Sequence, residues 1–315
     1  MMKSFVMGGF AIAIGACSNA TDFAPAMSSF SAATDKAKAA LESYDKAGAA
    51  RITELRREEA VAKPVGVQMV DGDCYTDSSR CRVVYMVRQG DPDPKPLTVN
   101  TLAPEHLAVM REIALYAKAL KDLSQADATP EVKAAVDQAT AATTGLASIV
   151  YPAASPAISA AAAPTGQFAV WAFGKYQEHV KLNALRFATR QMEPTMRDAV
   201  AKFGQLASLF GRGDRLRLEE DLQRKETAFG QSRTRAALDA YLTSARQLDD
   251  ALSPNPRAVF DDMGKAHSAL TAALNEQDPV SLADAFRAIN RLSADAEALY
   301  AMAESFRKAA EKVKP

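Results

Sequence analysis

A mainly α fold is what this sequence predicts: a bundle of long antiparallel coiled-coil-like helices with one small disulfide-closed β-hairpin. Three observations carry that expectation. Apolar residues recur over long stretches in alternating four- and three-residue steps, the 3.5-residue period of a helix seam. Aromatic residues make up only 7% of the chain, with a single tryptophan, and alanine is abundant, a composition typical of packed helices. No glycine-rich turn follows a strand, and strands do not alternate with helices, which argues against a doubly wound sheet.

The first seventeen residues, MMKSFVMGGFAIAIGAC, stand apart from the bundle. Lys3 and the amino terminus supply positive charge, and Phe5 to Ile14 form an uncharged run. A membrane-spanning helix needs about twenty apolar residues, so this run fits a secretory signal better than an anchor. Its end, Ile14-Gly15-Ala16-Cys17, resembles the lipobox of bacterial lipoproteins. The resemblance covers these first residues alone. It implies that 1–16 are removed as a signal peptide and that Cys17 is lipidated and becomes the first residue of the mature chain. Ser18 stands where that family's inner-membrane retention signal is an aspartate, so the resemblance implies an outer-membrane anchor facing the periplasm. Residues 17–28 are then expected to be a lipidated tether, since SNATDFAPAMS is small, polar and interrupted by Pro25. The remainder, 29–315, is expected to form the helical-bundle domain, with the hairpin inserted at about 65–90.

Within that domain a first helix is expected from about Ser28 to Ala62, with Ala37, Leu41, Tyr44, Ile52 and Leu55 on one stripe and Gly48 weakening its middle. Val65–Val70 and Arg82–Val87 are the only β-like runs. A two-residue turn at Asp77-Ser78 would pair Tyr75 with Arg80, set Cys74 opposite Cys81 and place Asp73 across from Arg82. Val83, Tyr85 and Val87 would share a face with Val70. With Cys17 assigned to lipid, Cys74 and Cys81 are an even pair in an oxidising compartment, where such a pair usually closes. Zinc, the rival, wants four ligands, and no histidine is near. Asp91–Pro96, with three prolines in six residues, reads as an extended linker.

The seams follow in order. Val109, Ile113, Tyr116, Leu120 and Leu123 mark one helix, and Pro130 opens another that runs to about Val150. A long helix from near Phe168 carries Leu185, Met192, Met196, Ala199, Phe203, Leu206 and Phe210 in one heptad register if Thr189 is counted, with a kink at Pro194. Gly211-Arg212-Gly213 reads as a break. The next helix bears Leu238, Tyr241, Ala245, Leu248 and Leu252 before SPNP stops it, and a shorter one bears Phe260, Met263, His267, Leu270 and Leu274. The last opens on Asp278 as N-cap and Pro279, with Leu282, Ala285, Ile289, Leu292, Leu299, Phe306 and Val313 in register.

Chemistry is scarce. Lysine plus arginine balances aspartate plus glutamate, 38 against 38, so nothing points to nucleic acid. His106, His179 and His267 lie far apart without a metal motif, and His267 falls on an apolar seam. The adjacent acids Asp249-Asp250 and Asp261-Asp262 point about 100° apart on a helix and read as solvated charge. Glu219-Glu220-Asp221 beside Arg215, Arg217 and Arg224 reads as surface pairing. No nucleophile elbow or P-loop is present. From Gln138 to Gly174 there is no charged residue. In outline that stretch resembles the apolar heads of helical pore-forming toxins. A tightly packed, alanine-rich corner of the bundle is the favoured reading, because no subsegment has twenty strongly apolar residues and alanine contributes little to insertion.

The expected function is a non-catalytic interaction or scaffold module, lipid-anchored in the periplasm, with no catalytic residues, cofactor or metal. Its partners would be the membrane, through lipid at Cys17, and an unidentified envelope protein or a second copy of itself. Tyr75 and Arg80, near the hairpin tip, are the expected interaction surface. Two alternatives are a membrane-active helical protein using residues 138–174 and an enzyme of unrecognised helical type.

Overall fold

The computed structural model describes residues 19–62, 66–70, 82–86, 95–96, 104–152, 177–252 and 255–312. The chain is mainly helical. In order it forms α1 (Ala20–Ala62), β1 (Gly66–Val70), β2 (Arg82–Met86), β3 (Lys95–Pro96), α2 (Pro104–Gln125), α3 (Thr129–Val150), α4 (Gln177–Ser232), α5 (Arg235–Leu252), α6 (Pro256–Glu276) and α7 (Pro279–Lys312).

The start of α1 overturns the expected tether. The helix begins at Ala20, and Phe23, Ala26, Met27 and Phe30 are all fully buried. These residues follow helical spacing, and burying two phenylalanines and a methionine is worth about 1.5–3 kcal/mol each, enough to recruit a segment with a proline inside it. Pro25 and Thr21 are both exposed, so the Thr21 carbonyl that Pro25 cannot serve is open to water. Asn19 caps the first turn, donating its N–H to Asp22 Oδ2 at 3.3 Å while its carbonyl accepts from Asp22 N–H. Glu178 of α4 takes two further bonds, from Thr21 N–H at 3.0 Å and Thr21 Oγ1 at 2.8 Å.

The described chain divides into two compact units, and the same helices contribute segments to both. The first comprises α1 to Thr34, α2 from Glu112, α3, α4 to Ala199, α6 from Asp262 and α7 to Leu292. Its core holds Phe23, Phe30, Ile113, Tyr116, Leu120, Leu146, Leu185, Met192, Leu270 and Ile289. Short connections give antiparallel neighbours, as where Glu112 of α2 lies against Gly145 of α3. α4 and α6 are antiparallel too, with Glu193 beside His267 and Arg186 beside Leu274. Not every pair obeys the expected antiparallel rule. Phe187 lies near Val136 and Ala139, and Tyr151 bonds Asp198 further along, so α3 and α4 run parallel. Parallel neighbours require a long connection, and residues 153–176 separate these two helices.

The second unit comprises α1 from Asp35, the strands, α2 to Arg111, α4 from Val200, α5, α6 to Asp261 and α7 from Ser293. Leu41, Tyr44, Val109, Met110, Phe203, Val259, Phe260 and Leu299 form its core. The seams of α2 and α6 are buried throughout, and so is that of α4 as far as Phe203. Leu206, expected to continue that seam, is exposed. On α5 the expected seam residues Leu238, Tyr241, Ala245 and Leu248 are only half-buried.

Gly211-Arg212-Gly213 does not break the chain. α4 runs through it to Ser232. A helical glycine costs about 1 kcal/mol, which neighbouring turns can absorb. The reversal comes instead at Arg233-Thr234, where Arg233 adopts a left-handed conformation, φ 48°. Its N–H reaches the Phe229 carbonyl at 2.8 Å, and Thr234 caps α5 by accepting from Ala237 N–H at 3.3 Å. The same two-residue device joins α6 to α7. Gln277 has φ 56°, and Asp278 accepts from Val280 N–H at 2.8 Å and Ser281 N–H at 3.0 Å. Asp278 is thus the N-cap that its sequence signals, and the Ser281 hydroxyl with these backbone bonds holds its carboxyl below the usual range.

The three strands form one antiparallel sheet in the order β1-β2-β3. Its register is not the expected one. Val70, not Asp73, lies across from Arg82, and Val67, Gln68 and Met69 pair with Tyr85, Val84 and Val83. Val70 therefore no longer alternates in phase with Val83 and Tyr85. The physical reason lies on the other edge: β2 also pairs with β3, Val84 with Pro96 and Tyr85 with Lys95, so two neighbours position it rather than one tight turn. Lys95-Pro96, read as linker, is the outer strand, where a proline is tolerated. Cys74, Tyr75, Arg80 and Cys81 lie outside the described residues, as do Cys17 and the segment before it.

Candidate functional site

The densest chemistry in the structure is a buried polar cluster in the first unit, built on α2, α4 and α6. Tyr116 and His267 occupy seam positions and are fully buried. An unpaired polar group there would cost about 1–3 kcal/mol, and the cluster avoids this by chaining its members. His267 Nδ1 lies 2.8 Å from Glu193 Oε2, and His267 Nε2 lies 3.0 Å from Tyr116 Oη. Ser268 Oγ donates to Glu193 Oε1 at 2.6 Å. Thr271 Oγ1 donates to the His267 carbonyl at 3.0 Å, one turn back on α6. The rings of Phe30 and Tyr116 lie 6.3 and 5.6 Å from the imidazole.

The electrostatics assign the proton positions. The hydrogen bond from His267, with Ser268 and the imidazole's charge adding to it, pulls Glu193 down to about 2 against the smaller opposing effect of burial. Glu193 is therefore an ionised acceptor, and Nδ1 of His267 carries a proton directed at it. Burial, and secondarily the charge of Glu193, push the Tyr116 phenol well above its usual value of 10.0, so Tyr116 keeps its proton. The protonated Tyr116 Oη lies within hydrogen-bonding distance of His267 Nε2. An acid, an imidazole and a hydroxyl in a line have the order of a nucleophilic triad, but this hydroxyl is a closed-off phenol with no solvent exposure. The arrangement fixes three helices to one another and orients His267.

Pro194 directly follows Glu193 within α4. It removes one helical hydrogen bond, to the Arg190 carbonyl. The basic side chains one and two turns before it reach across to the end of α6. Arg186 Nε donates to the Leu274 carbonyl at 2.7 Å, and Arg190 donates to Asn275 Oδ1 at 3.0 Å through Nε and 2.5 Å through Nη2. Cations at a helix C-terminus are favoured by its exposed carbonyls. An open groove of about 470 Å³ runs along this face, between Asn183, Arg186, Phe187, Arg190 and Gln191.

The three histidines have separate environments. His106 is buried in the second unit, edge-on to Phe203 at 5.2 Å and near Phe260 at 6.2 Å. His179 is exposed at the start of α4. Of the adjacent acids, Asp261 pairs with Arg257 at 3.2 Å near the surface. Asp262, expected to be solvated, is buried between Lys265 at 2.7 Å and Arg291 at 3.0 Å. Asp221 likewise leaves its surface role: it is buried, bonded by Arg224 and by Ser244 of α5, each at 2.6 Å. Sequence spacing missed Glu193 and Tyr116 as partners of His267, because each lies on a different helix. Only the seam position of His267 pointed to a buried, bonded imidazole.

Among the described residues, no group of three or more histidine, cysteine or acidic side chains could hold a metal ion. None of the described helices is long and apolar enough to cross a membrane. The first part of the uncharged stretch lies in α3, with Ala139, Ala142, Leu146, Ala147 and Val150 packed into the core; residues 153–176 lie outside the described residues. Comparisons with protein-family models, with curated proteins and with solved structures gave no match to this chain.

Proposed function

We propose that this chain is a lipid-anchored protein of the cell envelope, probing no substrate but acting as an interaction or scaffold module on the periplasmic side of the outer membrane. The anchor rests on Ile14-Gly15-Ala16-Cys17. The non-catalytic role rests on one observation above the others: the most chemically capable cluster, Glu193–His267–Tyr116, is used up in holding helices together and has its hydroxyl sealed from solvent. A disulfide between Cys74 and Cys81 belongs to the same reading, supported by the export signal and by the even pair that remains once Cys17 is lipidated.

The anchor is tested by metabolic labelling with a fatty acid and mass analysis of the amino-terminal peptide. Wild type is expected to carry acyl chains on Cys17 and to enter the detergent phase, whereas Cys17→Ser does neither. An unacylated mature end elsewhere would overturn the reading. Release of dye from liposomes by a Ser18–Pro315 fragment would replace the scaffold role with a membrane-active one. Peptide mapping without reductant reads the Cys74–Cys81 bond in the same samples.

A further inference from the structure

The second unit contains a helical hairpin, formed by the end of α4 and the whole of α5. Ser244 and Gln247 mark the side of α5 that is covered, Ser244 by its bond to Asp221 of α4. Phe229 and Tyr241 stack between the two arms, with centroids 6.4 Å apart and planes 8° from parallel. Part of the apolar surface of α5 lies off that covered side, although Tyr241 and Leu248 flank it. At 100° per residue, Leu238 and Leu242 lie more than a quarter-turn away from Ser244, and Leu242 is 42% exposed.

The outer pair of charges on this face is antisymmetric about Leu242, and the inner pair is so to within one residue. Arg235 lies seven residues before it and Asp249 seven after, while Asp239 and Arg246 flank it more closely. All four are exposed, and among the described residues none of them is seen in an ion pair. Seven residues is two helical turns, so all five positions fall on one narrow arc. Leu242 also lies close to the midpoint of α5, which spans Arg235–Leu252.

We propose that α5 packs antiparallel against α5 of a second copy of this chain, about a two-fold axis at Leu242. A two-fold axis sets each residue against its mirror position. Leu242 then meets its own copy, Arg235 meets Asp249 from the other chain at both ends, and Asp239 lies beside Arg246. A parallel arrangement would set arginine beside arginine and is disfavoured by like charge. The exposed Leu242 and the half-buried Leu238 and Ala245 gain apolar cover. This deepens the interaction-module reading by naming the partner as a second copy, and it does not require the lipid.

The test is cysteine crosslinking of the full-length chain in isolated membranes. Leu242→Cys is expected to give a covalent dimer under mild oxidation, whereas wild type and Tyr300→Cys, an exposed position on α7, do not. Adding Arg235→Asp or Asp249→Arg to Leu242→Cys should lower the dimer yield at least several-fold, and combining both should restore it. The proposal is overturned if Leu242→Cys stays monomeric or is captured by a chain of another mass. It also fails if the single reversals leave the yield unchanged, or if the double reversal does not recover it. Fatty-acid labelling of the same samples separates this from the anchor: acylated monomer would leave the anchor standing and remove self-pairing.

Discussion

Replacing Glu193 with glutamine tests whether the buried cluster is charge-assisted, as its geometry indicates. Glutamine keeps the shape and can still accept from His267 Nδ1, but it removes the negative charge. A carboxyl moved from 4.5 to about 2 corresponds to about 3 kcal/mol at 1.36 kcal/mol per unit. The Glu193 side chain is 36% exposed, so solvent screens part of this, and about 1–2 kcal/mol is the reasonable expectation. The sign follows from linkage. The folded value lies below the unfolded one, so the stabilisation is complete above about 4.5 and is lost as pH falls through about 2. Urea unfolding followed by circular dichroism should show Glu193→Gln less stable by about 1–2 kcal/mol near neutral pH, with less than half of that difference left at about pH 3. An equal penalty at both pH values, or none at neutral pH, would refute the charge-assisted account and leave Glu193 as one acceptor among others.

Three further outcomes follow from the helices. Phe23→Ala should destabilise the first unit by about 3–5 kcal/mol in thermal or urea unfolding, whereas a residue in a flexible tether would cost nothing measurable. Gly230→Ala should stabilise, because a Cβ there meets nothing within 4 Å and the helix gains about 1 kcal/mol; a lower melting temperature would contradict the described course of α4. Arg233→Gly should slow hydrogen exchange across the α4–α5 hairpin by relieving about 1 kcal/mol of left-handed backbone strain. Faster exchange would mean that the arginine side chain supports the turn.

What could be read from sequence was whatever repeats along one helix. The seams of α2 and α6 are visible because apolar spacing and core-facing geometry are the same fact seen twice. The Asp278 cap was legible for a similar reason, since its partners lie within three residues. Non-local features were not. Glu193, His267 and Tyr116 meet only because three helices pack, and nothing in the spacing of one reports on the others. Buried Asp262 was mistaken for surface charge because its partner Arg291 comes from another helix. Punctuation failed in both directions: Gly211 and Gly213 sit inside a helix, while the true reversal at Arg233-Thr234 contains neither glycine nor proline. The polar, proline-bearing start of α1 concealed Phe23, Met27 and Phe30, whose helical spacing outweighs their surroundings. The register of β2 depended on a third strand that composition assigned to a linker.

The early start of α1 also sets how freely the protein can search. Three residue steps separate Cys17 from Ala20, which at 3.3–3.6 Å each is a reach of about 10 Å. A lipid on Cys17 would therefore leave almost no slack, and the packed helices would travel with the bilayer as cargo on a raft, not as a float on a line. Encounters between copies would then take place in a thin film, where confinement raises their effective concentration. Contacts too weak to hold in free solution could persist there.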